Sequence, residues 1–339
     1  MKDYGTALVG VKQYMYQLCD IKTIHLEITN KCQASCPMCA RNLQGGIDNP
    51  FMNLSEITIK QFTGWFSPTF IKQLDKLYMC GNLGDPIIAK DTIEIFAYCR
   101  EHNDSMELSM NTNGSARSRR FWEQLAELNV NVRFGIDGLG DTHKLYRRGT
   151  DFDMIVKNAS TFISHGGKAI WDMLIFKHNE HQVDDCKKLS EQLGFVQFVP
   201  KNTSRFKENK LDVIDTMGKK EYTLYPSIKS KTLTDRTIEI KSGPIHCKAK
   251  NGSLYVTSHG IVTPCCWLGI DELPHHNPSR IDYLNKIEKF YSLIEHTLEE
   301  IFDSGIFDKI SNTWNSDALL ECTKQCGTFN KFESQYETT

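Results

Sequence analysis

The chain has 339 residues, 40% hydrophobic and 24% charged, with a formal net charge of −2. That is the composition of an ordinary globular protein, long enough for one large domain and one small one. It excludes a disordered polyelectrolyte and gives no overall charge that would attract nucleic acid or an anionic membrane. No run approaches the roughly 18 to 20 apolar residues needed to cross a bilayer. The opening MKDYGTALVGVKQYMYQLCD lacks the apolar core of an export signal. Twelve cysteines without such a signal point to reduced thiols that ligate a metal or cluster in a reducing cytoplasm, and away from disulfides.

Residues 1–21 read as an amphipathic lead-in, with Leu8, Val9, Val11, Tyr14 and Leu18 loosely at helical spacing. From 22 to 200, apolar strands at 23–28, 76–79, 106–110, 130–136, 169–176 and 196–199 alternate with helical patterns at 55–66, 90–102, 117–128, 151–164 and 181–193. This alternation marks repeated βα units on a parallel sheet. In the last helix Val183, Cys186, Leu189 and Leu193 share a face, so Cys186 reads as a small core hydrophobe. Cys19 and Cys99 read as structural, and Cys80 borders a glycine turn close to the site described next.

The first strand runs into TNKCQASCPMCARN, with Cys32, Cys36 and Cys39 in a C-x3-C-x2-C array. Three thiolates on one loop can hold three corners of an iron–sulfur cube and leave the fourth iron open to a substrate. Structural zinc is the other reading of a Cys-rich loop, although zinc closes its coordination with four ligands, usually as two pairs. The array resembles the signature of the radical S-adenosylmethionine (SAM) superfamily. The resemblance implies a 4Fe–4S cluster whose open iron chelates the amino and carboxylate groups of SAM. Reductive cleavage of SAM would then give a 5′-deoxyadenosyl radical that abstracts hydrogen from the substrate. It also implies Met38 against the adenine, where the family usually has an aromatic residue.

Further features extend the resemblance, and in parallel α/β folds ligands gather at such strand ends. After the second strand, Cys80-Gly81-Asn82-Leu83-Gly84-Asp85-Pro86 looks like the family's amino-group-binding turn, with Asp85 in place of the usual Glu. The third strand ends in Asn111-Thr112-Asn113-Gly114, similar to the turn near the SAM ribose. The fourth ends at Asp137-Gly138, followed by His143, Tyr146, Arg147 and Arg148. Arg147 is the candidate partner of the SAM carboxylate, because a guanidinium fork matches a carboxylate. Asp137 is a ligand contact or a turn cap, and His143 an orienting residue. After the fifth strand Asn179 is a candidate for contact with cofactor or substrate.

Residues 201–245 are polar and rich in Lys, Ser and Thr, and read as a linker or lid. In 246–327, Cys247, the hairpin pattern GSLYVTSHGIVT, Cys265-Cys266 and the closing Cys322-x3-Cys326 look like a SPASM or twitch-type domain. The implied ligands of an auxiliary 4Fe–4S cluster are Cys247, Cys265, Cys322 and Cys326, with Cys266 an alternative to Cys265. Helical patterns lie at 281–287 and 298–302, and 328–339 reads as a polar tail.

The expectation is thus an α/β protein: a partial (βα)6 TIM-type barrel followed by a small twitch/SPASM-like cluster domain with a β-hairpin. It would act on a small-molecule or peptide substrate, with a reductant such as flavodoxin or ferredoxin and no membrane. The net reaction would be a two-electron oxidation or a cross-link. Two rivals are a non-catalytic zinc or iron–sulfur scaffold, and a radical SAM enzyme acting on nucleic acid or nucleotides. The second rests on the basic residues of 201–245 alone.

Overall fold

The computed structural model describes residues 15–203, 205–206, 208–228, 244–269, 278–287 and 289–327. Leu8, Val9, Val11 and Tyr14 of the lead-in, part of the 201–245 segment and the 328–339 tail lie outside the described residues.

In chain order the strands are β1 (Thr23–Leu26), β2 (Asn42–Leu43), β3 (Ile47–Asp48), β4 (Lys76–Cys80), β5 (Glu107–Thr112), β6 (Val130–Gly135), β7 (Ala169–Ile175), β8 (Gln197–Asn202), β9 (Leu211–Ile214), β10 (Lys220–Leu224), β11 (Ser253–Val256), β12 (Ile261–Thr263) and β13 (Tyr291–Ser292). The six expected strands β1, β4, β5, β6, β7 and β8 are all parallel neighbours in that order. Between them stand α1 (Ile59–Trp65), α2 (Pro68–Lys72), α3 (Thr92–His102), α4 (Arg119–Glu127), α5 (Asp141–Lys144), α6 (Phe152–Ser164) and α7 (Val183–Leu193). The helical pattern expected over 55–66 is α1, capped by Thr58, and a further short helix, α2, starts beyond it at Ser67 and Pro68.

The two faces of this sheet differ. Leu77, Met79, Leu108, Met110, Val132, Phe134, Trp171 and Met173 are fully buried in one core with Phe96, Trp122, Phe162 and Cys186 of the helices. The alternate residues Tyr78, Cys80, Ser109, Asn111, Arg133 and Asp172 are only partly buried, so the inner face of the barrel is polar and open.

The hairpin of the C-terminal part joins the same sheet. β11 pairs in parallel with β1 on the edge opposite β4, and β12 and β13 follow antiparallel, giving one sheet of nine strands among the described residues. Gly252 permits this junction, at φ +84 and with Asp20 O only 2.1 Å from where a Cβ would stand. Its carbonyl accepts from Lys22 and Thr23 N–H at 2.9 and 3.1 Å. The segment expected as a polar linker contains the β9–β10 hairpin, whose Val213 and Leu224 form a second apolar cluster with Tyr146, Phe176 and Phe206. The helices α8 (Pro278–Ile287), α9 (Leu298–Asp303), α10 (Ile306–Asn312) and α11 (Leu320–Cys326) complete the fold. Among the described residues no helix is long and apolar enough to cross a membrane.

Candidate functional site

The loop carrying Cys32, Cys36 and Cys39 leaves the C-terminal end of β1 and is fastened from several sides. Asp85 N–H donates to Lys31 C=O at 3.0 Å, and Ser35 N–H to Arg148 C=O at 2.9 Å. Gly84 lies so close that a Cβ would stand 1.9 Å from Thr29 O. The Cys80–Pro86 turn is therefore welded to the cysteine loop. Glu27, 2% exposed, holds the turn from below: its Oε1 accepts Leu83 N–H at 2.7 Å and Gly84 N–H at 3.1 Å. Its Oε2 accepts from the Tyr255 hydroxyl of β11, so one buried carboxylate ties both halves of the chain to the turn. The sequence reading passed over Glu27, and its one signal was an acid inside an apolar run.

Asn113 meets the cysteine loop directly. Its Nδ2 is 3.6 Å from the Cys32 sulfur, and its Oδ1 accepts from Gln33 Nε2 at 2.7 Å. Asn111 points into the barrel, with Nδ2 3.1 Å from the Cys80 sulfur. Arg147 lies over Gly135, with Nε 2.6 Å from Asp137 Oδ2, and also reaches the Cys36 thiol. Burial pushes Cys36 up to about 11 against the pull of Arg147, and pushes Cys32 up to about 12 with help from Asp85. Ligation would draw those protons off.

Three residues expected at the ligand make hydrogen bonds within the protein. Asp85 accepts from Thr112 Oγ1 at 2.8 Å, Asn113 N–H at 2.7 Å and Ile87 N–H at 3.1 Å, joining the ends of β4 and β5. Asp137 accepts from Leu174 N–H at 2.6 Å besides Arg147. Burial pushes the Asp137 carboxyl up from its ordinary value, against the pull of Arg147 and Leu174 N–H. Asn179 has no exposed surface; its amide accepts Phe176 N–H at 2.7 Å and donates to Asp137 and Leu174 C=O at 3.1 and 2.8 Å. His143 accepts Asp137 N–H on Nδ1, so it is the neutral tautomer whose Nε2–H donates to Thr150 Oγ1 at 2.9 Å. Burial lowers it to about 3.

Met38 packs with Cys36 against the Tyr146–Phe176–Phe206 cluster, beneath the β9–β10 hairpin, and its carbonyl accepts from Arg205 Nη1 at 3.4 Å. Farther along the inner face, Arg133 grips Asp172 through Nε and Nη2 at 2.9 and 2.6 Å, and Lys201 Nζ reaches the same carboxylate at 3.2 Å. Sequence alone gave no reason to group these three, because they lie on different strands.

The second site is a small cavity of about 20 Å³ lined by Cys247, Cys265, Cys322 and Cys326. Cys322 and Cys326 are one turn apart on α11, so both face the cavity. Asp282 of α8 accepts Leu320 N–H at 2.6 Å at the start of that helix. His246 N–H donates to Cys326 C=O at 2.8 Å, which brings Cys247 beside Cys326. The Cys247 thiol donates to the Cys326 sulfur, holding Cys326 down to about 7 and Cys247 far above its usual range. Burial pushes Cys265 up strongly and Cys322 up to about 11.

Cys266 does not line this cavity; it lies toward Asn82 and Cys80. Cys99 and Cys186 are buried in the core, whereas Cys19, expected as structural, is exposed. Among the described residues no three His, Cys, Asp or Glu side chains form a ready-made site for a single metal ion.

Residues 26–189 match the model of the Radical SAM superfamily. The chain is also 26% identical over 144 residues to an uncharacterized protein of Methanocaldococcus jannaschii; the match takes in 38% of this chain and 44% of that relative, less than half its length. SuiB of Streptococcus suis, solved with bound S-adenosylmethionine, is similar with a TM-score of 0.56 and 16% identity, covering 89% of this chain and 72% of SuiB. The native anSMEcpe structure with bound AdoMet is similar with a TM-score of 0.52 and 16% identity, covering 85% of this chain and 82% of that one. At such identities the likeness to these structures is one of fold.

Proposed function

Since the chain is a radical SAM enzyme, with the superfamily's domain at residues 26–189, we propose that it oxidises a polar small molecule or peptide by two electrons, assisted by an auxiliary 4Fe–4S cluster. The observation that carries this reading is the cavity walled by Cys247, Cys265, Cys322 and Cys326, four thiols from three separated stretches of chain. Four thiols in a largely apolar wall suit an iron–sulfur cube.

In this reading Cys32, Cys36 and Cys39 hold the SAM-cleaving cluster. That cluster and SAM, when bound, supply a 5′-deoxyadenosyl radical for hydrogen abstraction. The chain's own groups bind and orient. The backbone of Gly81 to Gly84, carried on Glu27, presents polar groups beside the cysteine loop, with Pro86 closing the turn. Met38, Asn111 and Asn113 border the same space. Arg147 supplies positive charge at Cys36 and is the group for a carboxylate. Asp85, Asp137 and Asn179 act one step back, by fixing the turns and Arg147.

The polar inner face, with Ser109, Asn111, Arg133, Asp172 and Lys201, suits a substrate with charged or hydrogen-bonding groups. SuiB has been solved with a precursor peptide, which supports a peptide as one candidate. A flavodoxin or ferredoxin would supply electrons.

The test is to purify and reconstitute the protein without oxygen, measure iron and sulfide per chain, and look for 5′-deoxyadenosine after adding SAM and dithionite. About eight irons with 5′-deoxyadenosine is the expected result for two 4Fe–4S clusters. About four irons with 5′-deoxyadenosine removes the auxiliary cluster and leaves the SAM chemistry.

A further inference from the structure

Trp314 lines the cavity of the four C-terminal cysteines. Its Nε1–H is buried, and no acceptor is placed to receive it. Buried indole N–H groups usually have a partner. The indole is turned toward the sulfur of Cys322 in the same wall. Lys250 Nζ stands 4.8 Å from the ring centroid, a cation–π contact that helps keep the ring in place.

The four sulfurs are not treated alike. Backbone N–H groups reach three of them: Ala249 at Cys247, Trp267 and Leu268 at Cys265, and Lys248 at Cys326. At Cys322, in the first turn of α11, the donor is a side chain. The group turned toward it is the indole.

We propose that Trp314 raises the reduction potential of the auxiliary 4Fe–4S cluster by donating its indole N–H to the sulfur of Cys322. The inference rests on the auxiliary-cluster reading above. Reduction by one electron adds negative charge that spreads onto the ligand sulfurs. A donor at sulfur therefore stabilises the reduced form more than the oxidised one. Met15, Leu268 and Ile310 in the same wall keep the surroundings apolar, which strengthens the bond. Trp314 is a positioning and tuning residue, and it makes the cluster a better electron acceptor.

The test is an EPR-monitored redox titration of the full-length reconstituted enzyme beside Trp314→Phe, which keeps an aromatic ring and removes the donor. The auxiliary midpoint is expected to move to lower potential in Trp314→Phe. The midpoint of the N-terminal cluster should stay put, with iron per chain unchanged. Trp314→His, which restores a ring N–H, should recover part of the shift. An unchanged auxiliary midpoint in a fully loaded Trp314→Phe overturns the proposal.

Independently of any variant, wild-type enzyme carrying nitrogen-15 in its tryptophan indoles should show a nitrogen hyperfine coupling to the reduced auxiliary cluster, and its absence overturns the proposal too. A wild-type protein with a single cluster signal and about four irons instead defeats the auxiliary-cluster reading on which the inference stands.

Discussion

Gly84 and Thr29 are in such close contact that a methyl group on Gly84 would stand 1.9 Å from the Thr29 carbonyl oxygen. Backbone cannot yield there without moving the loop that bears Cys32. Gly84→Ala is expected to cost about 2 kcal/mol of stability, in the range for overpacking, and to displace the cysteine loop. After anaerobic reconstitution the variant should hold about four irons in place of about eight and make no 5′-deoxyadenosine. A variant with full iron and normal SAM cleavage would show that the weld is dispensable.

Asp137 is fully buried and holds Arg147 Nε at 2.6 Å. Asp137→Asn removes the charge and leaves a buried guanidinium uncompensated, a loss of about 3–5 kcal/mol. Denaturant unfolding of the apo protein measures it. SAM cleavage should fall as well, because Arg147 would no longer be fixed beside Cys36. A loss below about 1 kcal/mol, the scale of an exposed pair, would mean that water reaches the pair.

Burial lowers His25 to about 4 and His143 to about 3. In the unfolded chain each has an ordinary value near about 6.5, so between these limits the unfolded state takes up protons that the folded state refuses. Their contribution to stability is complete above about pH 6.5 and is lost as the pH falls toward 4. At pH 5.5 each histidine should cost about 1.4 kcal/mol relative to neutral pH. In His143→Gln, whose amide can accept from Asp137 N–H and donate to Thr150, the fall between pH 7.5 and 5.5 should be smaller by that amount. Equal slopes in the two proteins would mean that His143 is not held neutral.

Cys265 lines the C-terminal cavity, whereas Cys266 lies toward Asn82 and Cys80. Cys265→Ala is therefore expected to lose about four irons, and Cys266→Ala to keep about eight. Iron per chain decides between them. The reverse pattern would make Cys266 the ligand and place the cluster nearer the barrel interior.

Much of this was legible in the sequence. Strand β6 and helix α6 fall within one residue of the apolar runs that announced them, because period-two and period-3.6 burial leave a direct trace in side-chain order. The segment 201–245 was less legible. Its polar composition hides the β9–β10 hairpin, because that hairpin buries little beyond Val213 and Leu224 and draws its apolar partners, Tyr146 and Phe176, from distant parts of the chain. Asp85, Asp137 and Asn179 show another limit: a polar residue at a strand end looks the same in sequence whether it faces a ligand or braces a neighbouring turn.

The sequence by itself determined the local chemistry: three thiols at C-x3-C-x2-C on one loop, two more at helical spacing on α11, and a βα rhythm that builds a parallel sheet. Those features depend on covalent spacing and side-chain periodicity, which short stretches contain in full. Only the tertiary structure decided what meets across the fold. It placed β11 beside β1, joined Glu27 to Tyr255, drew Cys247 to Cys326, and turned Cys265 and not its neighbour into the cavity. Adjacent side chains leave the backbone in different directions, and their destinations depend on elements far away in the chain, so no local pattern can encode them.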